Sequence, residues 1–207
     1  MTVIQKDDFI NSVANAFQFI SYYHPKDFVD AVYEAWQKET NPAAKNAMGQ
    51  ILVNSRMSAL GHRPICQDTG SAVVFVDIGM NVQWNTDMTV EEMVNEGVRL
   101  AYNNPDNPLR ASILVDPIGK RQNTKDNTPA VVHISMVKGD KVDVTCAAKG
   151  GGSENKSKFA MLNPSDSIEE WILKTIPAMG AGWCPPGVLG IGVGGTPEKA
   201  MLLAKRS

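Results

Sequence analysis

The chain has three cysteines, and each lies in or against a segment rich in glycine, proline or small polar residues, beside an apolar run of strand length. Cys66 stands in Arg63-Pro64-Ile65-Cys66-Gln67-Asp68-Thr69-Gly70, ahead of Ala72-Val73-Val74-Phe75-Val76. Cys146 opens Cys146-Ala147-Ala148-Lys149-Gly150-Gly151-Gly152-Ser153-Glu154-Asn155-Lys156, and Cys184 opens Cys184-Pro185-Pro186-Gly187, just before Val188-Leu189-Gly190-Ile191. Thiols placed in this way look like ligands for one centre. The paired Cys-x2-Cys or His-x3-His groups that announce a four-ligand zinc site are missing from the sequence. A cubane iron–sulfur cluster is normally held by four thiolates. With three, one iron keeps an open coordination position and can serve as a Lewis acid. His62, four residues before Cys66, could join such a site, although a lone histidine beside a loop is more often a hydrogen-bonding surface residue. The competing reading, three unrelated buried cysteines, is weakened because none of them falls in a helix core.

Composition limits the partners. At 207 residues, 43% hydrophobic and 20% charged, the chain can bury a core as one large domain or two small ones. A formal charge of −2 gives no reason to expect nucleic acid or a membrane surface as partner. No apolar run approaches the roughly 18 residues of a membrane helix, and Met1-Thr2-Val3-Ile4-Gln5-Lys6-Asp7-Asp8 lacks the pattern of a signal peptide. A reducing, cytoplasmic setting is therefore expected. There, an odd number of widely spaced cysteines fits free thiols or a metal centre better than a disulfide framework.

The elements that must position these loops follow from periodicity. Up to about Leu60 the chain reads as helical, with Phe9, Ile10, Val13, Phe17 and Ile20, then Phe28, Val29, Val32 and Trp36, then Met48, Ile51, Leu52 and Leu60 at three- and four-residue steps. Pro25 and the pair Asn41-Pro42 mark the second and third helix starts, and Gly61 ends the third. Ala72 to Ile78 reads as a strand. Thr89-Val90-Glu91-Glu92 is a capping-box pattern for a helix to about Asn103, and a shorter strand is expected over Ile113 to Val115.

Lys120 to Thr128 is too hydrophilic for a core and reads as a solvated loop or a cover. Val131 to Val137 and Lys141 to Ala147, joined by Lys138-Gly139-Asp140, read as an antiparallel hairpin, so the sheet cannot be purely parallel. A capped helix follows from Ile168 to about Ile176, then a strand from Val188 to Val193 and a last helix after Thr196-Pro197, with Thr196 supplying a capping hydroxyl. The expected fold class is α+β, with N-terminal helices over about residues 1–60 packed with a mixed, partly antiparallel sheet.

Arg63 to Gly70, Asn107-Pro108-Leu109-Arg110-Ala111-Ser112, Asp126-Asn127-Thr128-Pro129-Ala130, Cys146 to Lys156, and Cys184-Pro185-Pro186 through Gly192-Val193-Gly194-Gly195-Thr196 occur in collinear order over nearly the whole chain. Together they resemble the N-terminal, cluster-binding part of the class I, iron–sulfur-dependent fumarate hydratases, and the related L-tartrate dehydratase alpha subunits share the pattern. The resemblance implies a [4Fe-4S] cluster on Cys66, Cys146 and Cys184, and reversible hydration of fumarate to L-malate. It implies that Asp68 is the acid/base, that Gln67 and Asp68 bind substrate, and that Arg110 grips a substrate carboxylate with its planar fork.

By the residues alone, Asp68 and Gln67 read equally as side chains that stabilise a turn, and Arg110 as a member of a surface salt bridge. Lys149, Ser153, Asn155 and Lys156 shape the glycine loop, where Gly150, Gly151 and Gly152 let backbone approach a cluster. The resemblance also implies a C-terminal domain or beta subunit, a dimer in the full enzyme, and residues 1–207 as a truncated cluster-binding part with negligible activity alone. A non-catalytic metal-binding or assembly module remains the alternative of a different class. Gly190, Gly192 and Gly195 match a dinucleotide fingerprint literally, but they alternate with apolar residues, and the acidic residue expected about 20 positions on would fall beyond the last residue. Close backbone packing is the better reading.

Overall fold

The computed structural model describes residues 2–207, so Met1 lies outside the described residues. The chain divides into two compact units, Met1–Lys149 and Gly150–Ser207. The first runs β1 (Thr2–Gln5), α1 (Lys6–Tyr22), α2 (Lys26–Lys38), α3 (Pro42–Gly61), β2 (Ser71–Gly79), β3 (Val82–Asn85), α4 (Val90–Tyr102), β4 (Val131–Val137) and β5 (Val142–Lys149). Helices pack against a mixed three-stranded sheet of order β4-β2-β5, in which β2 is parallel to β4 and antiparallel to β5. The expected α+β arrangement is what forms.

Strand side chains alternate between faces. Ala72, Val74, Val76 and Ile78 of β2 therefore share one face, where they meet Phe9, Val13 and Phe17 of α1 and Met93, Val94 and Val98 of α4 in a single buried cluster. Gly97 makes the helix contact close: a Cβ there would lie 2.7 Å from the Val13 Cβ and 2.8 Å from the Ile10 carbonyl oxygen. The start signals work as local chemistry predicts. Asn41 Oδ1 accepts from the Ala43 and Ala44 N–H groups at 2.9 and 3.3 Å. Thr89 and Glu92 form the reciprocal capping box at the head of α4.

Three expectations are corrected in this unit. The first residues are not helical: β1 pairs in parallel with β3, Thr2 opposite Val82 through Gln5 opposite Asn85. Helix α3 ends at Gly61 as expected, with His62 rather than the glycine in the left-handed position at φ 46°, its N–H and that of Arg63 both donating to the Ser58 carbonyl. The segment Ile113 to Val115 is no strand, only a bridge of Leu114 to Asn123.

The expected hairpin is also not a hairpin, because β2 lies between β4 and β5. The N–H groups of Gly79, Met80 and Asn81 donate to the carbonyls of Lys141, Val137 and Gly139 at 2.8, 2.9 and 2.9 Å, so the connection wraps the end of β2. Crossing one intervening strand spans about 10 Å, and residues 138–141 can reach about 13 Å. A turn this short is therefore compatible with either topology.

The second unit holds α5 (Gly151–Lys156), α6 (Ile168–Ala178) and α7 (Pro197–Arg206), and none of these helices buries a residue. Ser167 caps α6 by accepting from the Glu170 N–H at 3.2 Å. Thr196 does not cap α7 through its hydroxyl, which donates to Glu198 Oε1 at 2.5 Å. The expected strand at Val188 to Val193 does not form. Instead the backbone lies on α7: Cβ atoms built on Gly190 and Gly192 would stand 2.1 Å from the Ala204 carbonyl oxygen and 2.0 Å from that of Ala200. That is the close packing expected of these glycines in place of a nucleotide fingerprint. Among the described residues, no helix is long and apolar enough to cross a membrane.

Candidate functional site

Cys66, Gln67 and Asp68 sit on the loop between α3 and β2, and the loop is tied at both ends. Upstream, the Ile65 N–H donates to the Ser21 carbonyl at 2.8 Å, and Asn54 Nδ2 donates to the Ile65 carbonyl at 2.9 Å. Downstream, the Tyr102 hydroxyl donates to the carbonyls of Thr69 and Gly70 at 2.9 and 3.1 Å. Between these anchors Cys66 and Gln67 are exposed and Asp68 is half-buried. The Cys66 sulfur accepts the Asp68 N–H at 3.4 Å, an interaction that also suits a thiolate ligand, and Asp68 Oδ1 accepts the Gly70 N–H at 3.3 Å. The turn-stabilising reading of Asp68 thus holds locally.

Arg110 is exposed on the loop after α4. Its carbonyl accepts from Thr69 Oγ1 at 2.5 Å, which brings the Arg110 segment alongside the Cys66 loop. No ion pair of the Arg110 guanidinium is recorded among the described residues. Cys146 lies inside β5, three residues before its end, opposite Val74. Since Val74 is wholly buried in the helix-facing core, Cys146 packs against that core from the same face. Burial pushes its thiol up to about 11.

In the second unit Cys184 is exposed and takes φ 62°, a left-handed conformation that costs a non-glycine residue strain. A Cβ on Gly152 would fall 2.7 Å from the Gly182 carbonyl oxygen and 3.9 Å from Cys184 Sγ, so the glycine segment passes close to this thiol. All three cysteines are free. Among the described residues, no three His, Cys, Asp or Glu side chains are grouped so as to hold a metal ion. His62 stacks on Tyr22 with ring centroids 4.6 Å apart, the surface role its sequence context favoured.

Asn127 is the residue that the hydrophilic composition of its neighbourhood hides. The run before it is mostly exposed, with Thr124 and Asp126 half-buried, but Asn127 has no exposed surface and sits at φ 62°. Its Oδ1 accepts the Ser112 N–H at 2.8 Å and its Nδ2 donates to the Gly70 carbonyl at 2.9 Å. The usable signal was its type, since asparagine is the non-glycine side chain that best tolerates the left-handed region. Tyr102 was likewise passed over at the end of an amphipathic helix. Burial pushes its hydroxyl up to about 12, with its hydrogen bonds opposing, so it stays a donor at neutral pH.

Three free thiols thus stand on three separate segments of a chain whose helices pack on a mixed sheet. Residues 10–207 match the family model described as Fumarate hydratase (Fumerase), and the chain belongs to that family. It is 36% identical over 203 residues to the putative L(+)-tartrate dehydratase subunit alpha of Methanocaldococcus jannaschii, a match covering 94% of this chain and 70% of that protein. Against the anaerobic class I fumarate hydratase of Escherichia coli K12 it is 33% identical over 158 residues, covering 74% of this chain and 28% of that enzyme. Against an Escherichia coli L(+)-tartrate dehydratase subunit alpha it is 26% identical over 202 residues, and the chain spans 65% of that subunit.

Proposed function

We propose that this chain is the cluster-binding part of a hydro-lyase that interconverts fumarate and L-malate. The observation that carries the reading is the bond from Thr69 to the Arg110 carbonyl, which sets a Cys-Gln-Asp loop beside an arginine segment in a fumarate hydratase family chain. The donor set fits a [4Fe-4S] cluster: three free thiols, one of them already accepting a backbone N–H, and a glycine segment close to another. Cys66, Cys146 and Cys184 would hold the cluster, and when bound it supplies a Lewis-acidic iron for a substrate oxygen.

The chain's own residues account for the rest. Dehydration of malate breaks a C–O bond and removes a proton from the neighbouring carbon. Asp68 gives its proton to the departing hydroxyl oxygen and takes it back in the hydration direction. Arg110 binds one substrate carboxylate through two parallel N–H···O bonds, and the Gln67 amide donates to a carboxylate oxygen. The base that acts on carbon belongs to a C-terminal domain or beta subunit, in an enzyme that works as a dimer in the cytoplasm. Alone, residues 1–207 should turn over fumarate negligibly.

L(+)-tartrate is the second reading, favoured by the higher identity and much fuller coverage of the tartrate dehydratase alpha subunit from Methanocaldococcus jannaschii. The test is anaerobic reconstitution of the complete enzyme containing this chain, followed by addition of malate or tartrate. A substrate-induced change in the cluster spectrum, with turnover, is expected for one of them. Bound iron and sulfide with no response to either would leave the non-catalytic metal module standing instead.

A further inference from the structure

One buried knot joins the two segments that carry the candidate substrate groups. Asn127, with no exposed surface, bonds the Ser112 N–H through Oδ1 and the Gly70 carbonyl through Nδ2, at 2.8 and 2.9 Å. The Tyr102 hydroxyl reaches the Thr69 and Gly70 carbonyls, so the Gly70 oxygen receives two donors from two different elements. Thr69 Oγ1 then closes the ring on the Arg110 carbonyl. Gly70 itself, at φ 75°, lies against the Lys149 backbone so tightly that a Cβ would approach within 2.7 Å. Asp68 and Gln67 precede this knot on one side, and Arg110 precedes Ser112 on the other.

We propose that Asn127 and Tyr102 are positioning residues that hold the Gln67–Asp68 loop and the Arg110 loop in one fixed register, so that proton transfer and carboxylate binding act on the same substrate molecule. Neither residue touches substrate. Their bonds are made to backbone groups of the two loops, and an error of about 1 Å in placing a reacting group can cost about a hundredfold in rate. This inference rests on the hydro-lyase reading above and deepens it.

The test uses the complete, anaerobically reconstituted enzyme and two variants. Tyr102→Phe keeps the ring in the core and removes only the hydroxyl. Asn127→Gly removes both amide bonds while suiting the left-handed backbone, so the turn is retained. Both are expected to bind iron and sulfide as wild type does. Tyr102→Phe, which frees only the Asp68 side, should lower kcat about tenfold with KM nearly unchanged. Asn127→Gly should lower kcat at least as far and also raise KM about tenfold, and the Ser112 amide should lose its hydrogen-exchange protection in this variant alone. If Asn127→Gly does not fold, the split between kcat and KM in Tyr102→Phe decides. Wild-type kinetics in either variant, or a Ser112 amide still protected in Asn127→Gly, would overturn the positioning role while leaving the function intact. A wild-type enzyme inert to fumarate, malate and tartrate would overturn the hydro-lyase reading, and the positioning role with it.

Discussion

Residues 2–149 and 150–207 use apolar side chains in opposite ways. In the first unit Phe17, Val13 and Val74 are at most 1% exposed, closed in by α1, α4 and β2 of that same unit. In the second no helix buries a residue, and Met161, Leu173 and Val188 are 75%, 64% and 82% exposed. Where an apolar pattern finds its partners inside the unit, it becomes a well-defined element and fixes the loops at its ends. Where it does not, as at Val188 to Val193, a strand-like pattern stays without a ladder. Cys66 therefore rides on a loop tied to a core. Cys184 depends on a left-handed turn and a neighbouring glycine segment.

The contrast can be broken by substitution. Phe17→Ala should cost about 3–5 kcal/mol, because it opens a cavity in a packed interior. Leu173→Ala, at an exposed position, should stay within about 0.5 kcal/mol. Hydrogen exchange at the Val74 and Val76 amides reads the first, and exchange within α6 reads the second. Equal losses would mean the two units are not different in kind.

A smaller effect is expected at the helix contact. Gly97→Ala forces a methyl group against Val13 and the Ile10 carbonyl and should cost about 1–3 kcal/mol in thermal unfolding. Thr89→Ala removes the hydroxyl arm of the capping box, which accepts the Glu92 N–H, and should cost about 1 kcal/mol, read as faster exchange in the first turn of α4.

The smallest effect is electrostatic. Burial pushes the Asp126 carboxyl up, but the Thr128 N–H and hydroxyl and the Arg99 guanidinium outweigh it and hold it below the ordinary carboxylate value. Its stabilising contribution is therefore present above the unfolded-state pKa and is lost as pH falls through the depressed folded value. Asp126→Asn should remove that contribution, lowering the melting temperature slightly at neutral pH and flattening its acid limb, so that variant and wild type converge at acid pH.

What could be read from the sequence was mostly local. The starts of α3 and α4 depend on Asn41 and on the Thr89–Glu92 pair, each within four residues of the groups it caps. The face of β2 that meets the helices follows from alternation alone. The misread features are non-local. The Lys138–Lys141 turn fits a hairpin as well as a link around an intervening strand, and only the pairing of β2 with both neighbours decides between them. The four-residue strand β1 merged into the helical period of α1 because its partner, β3, lies some eighty residues away. For the site, the three thiols stand out by type and by their flanking residues, whereas Gln67 and Asp68 read from the residues alone equally as turn stabilisers and take their site roles from the resemblance. The buried role of Asn127 was not legible, because a run of polar residues looks the same whether one of them turns inward or all face water.

The central claim is that Cys66, Cys146 and Cys184 together hold one iron–sulfur cluster. Iron and acid-labile sulfide, measured after anaerobic reconstitution of the complete enzyme and of its Cys66→Ser, Cys146→Ser and Cys184→Ser variants, test it most directly. The account predicts equal amounts of iron and sulfide in the wild type and loss of both from every variant; a serine variant at any one position that keeps the full wild-type content would contradict it.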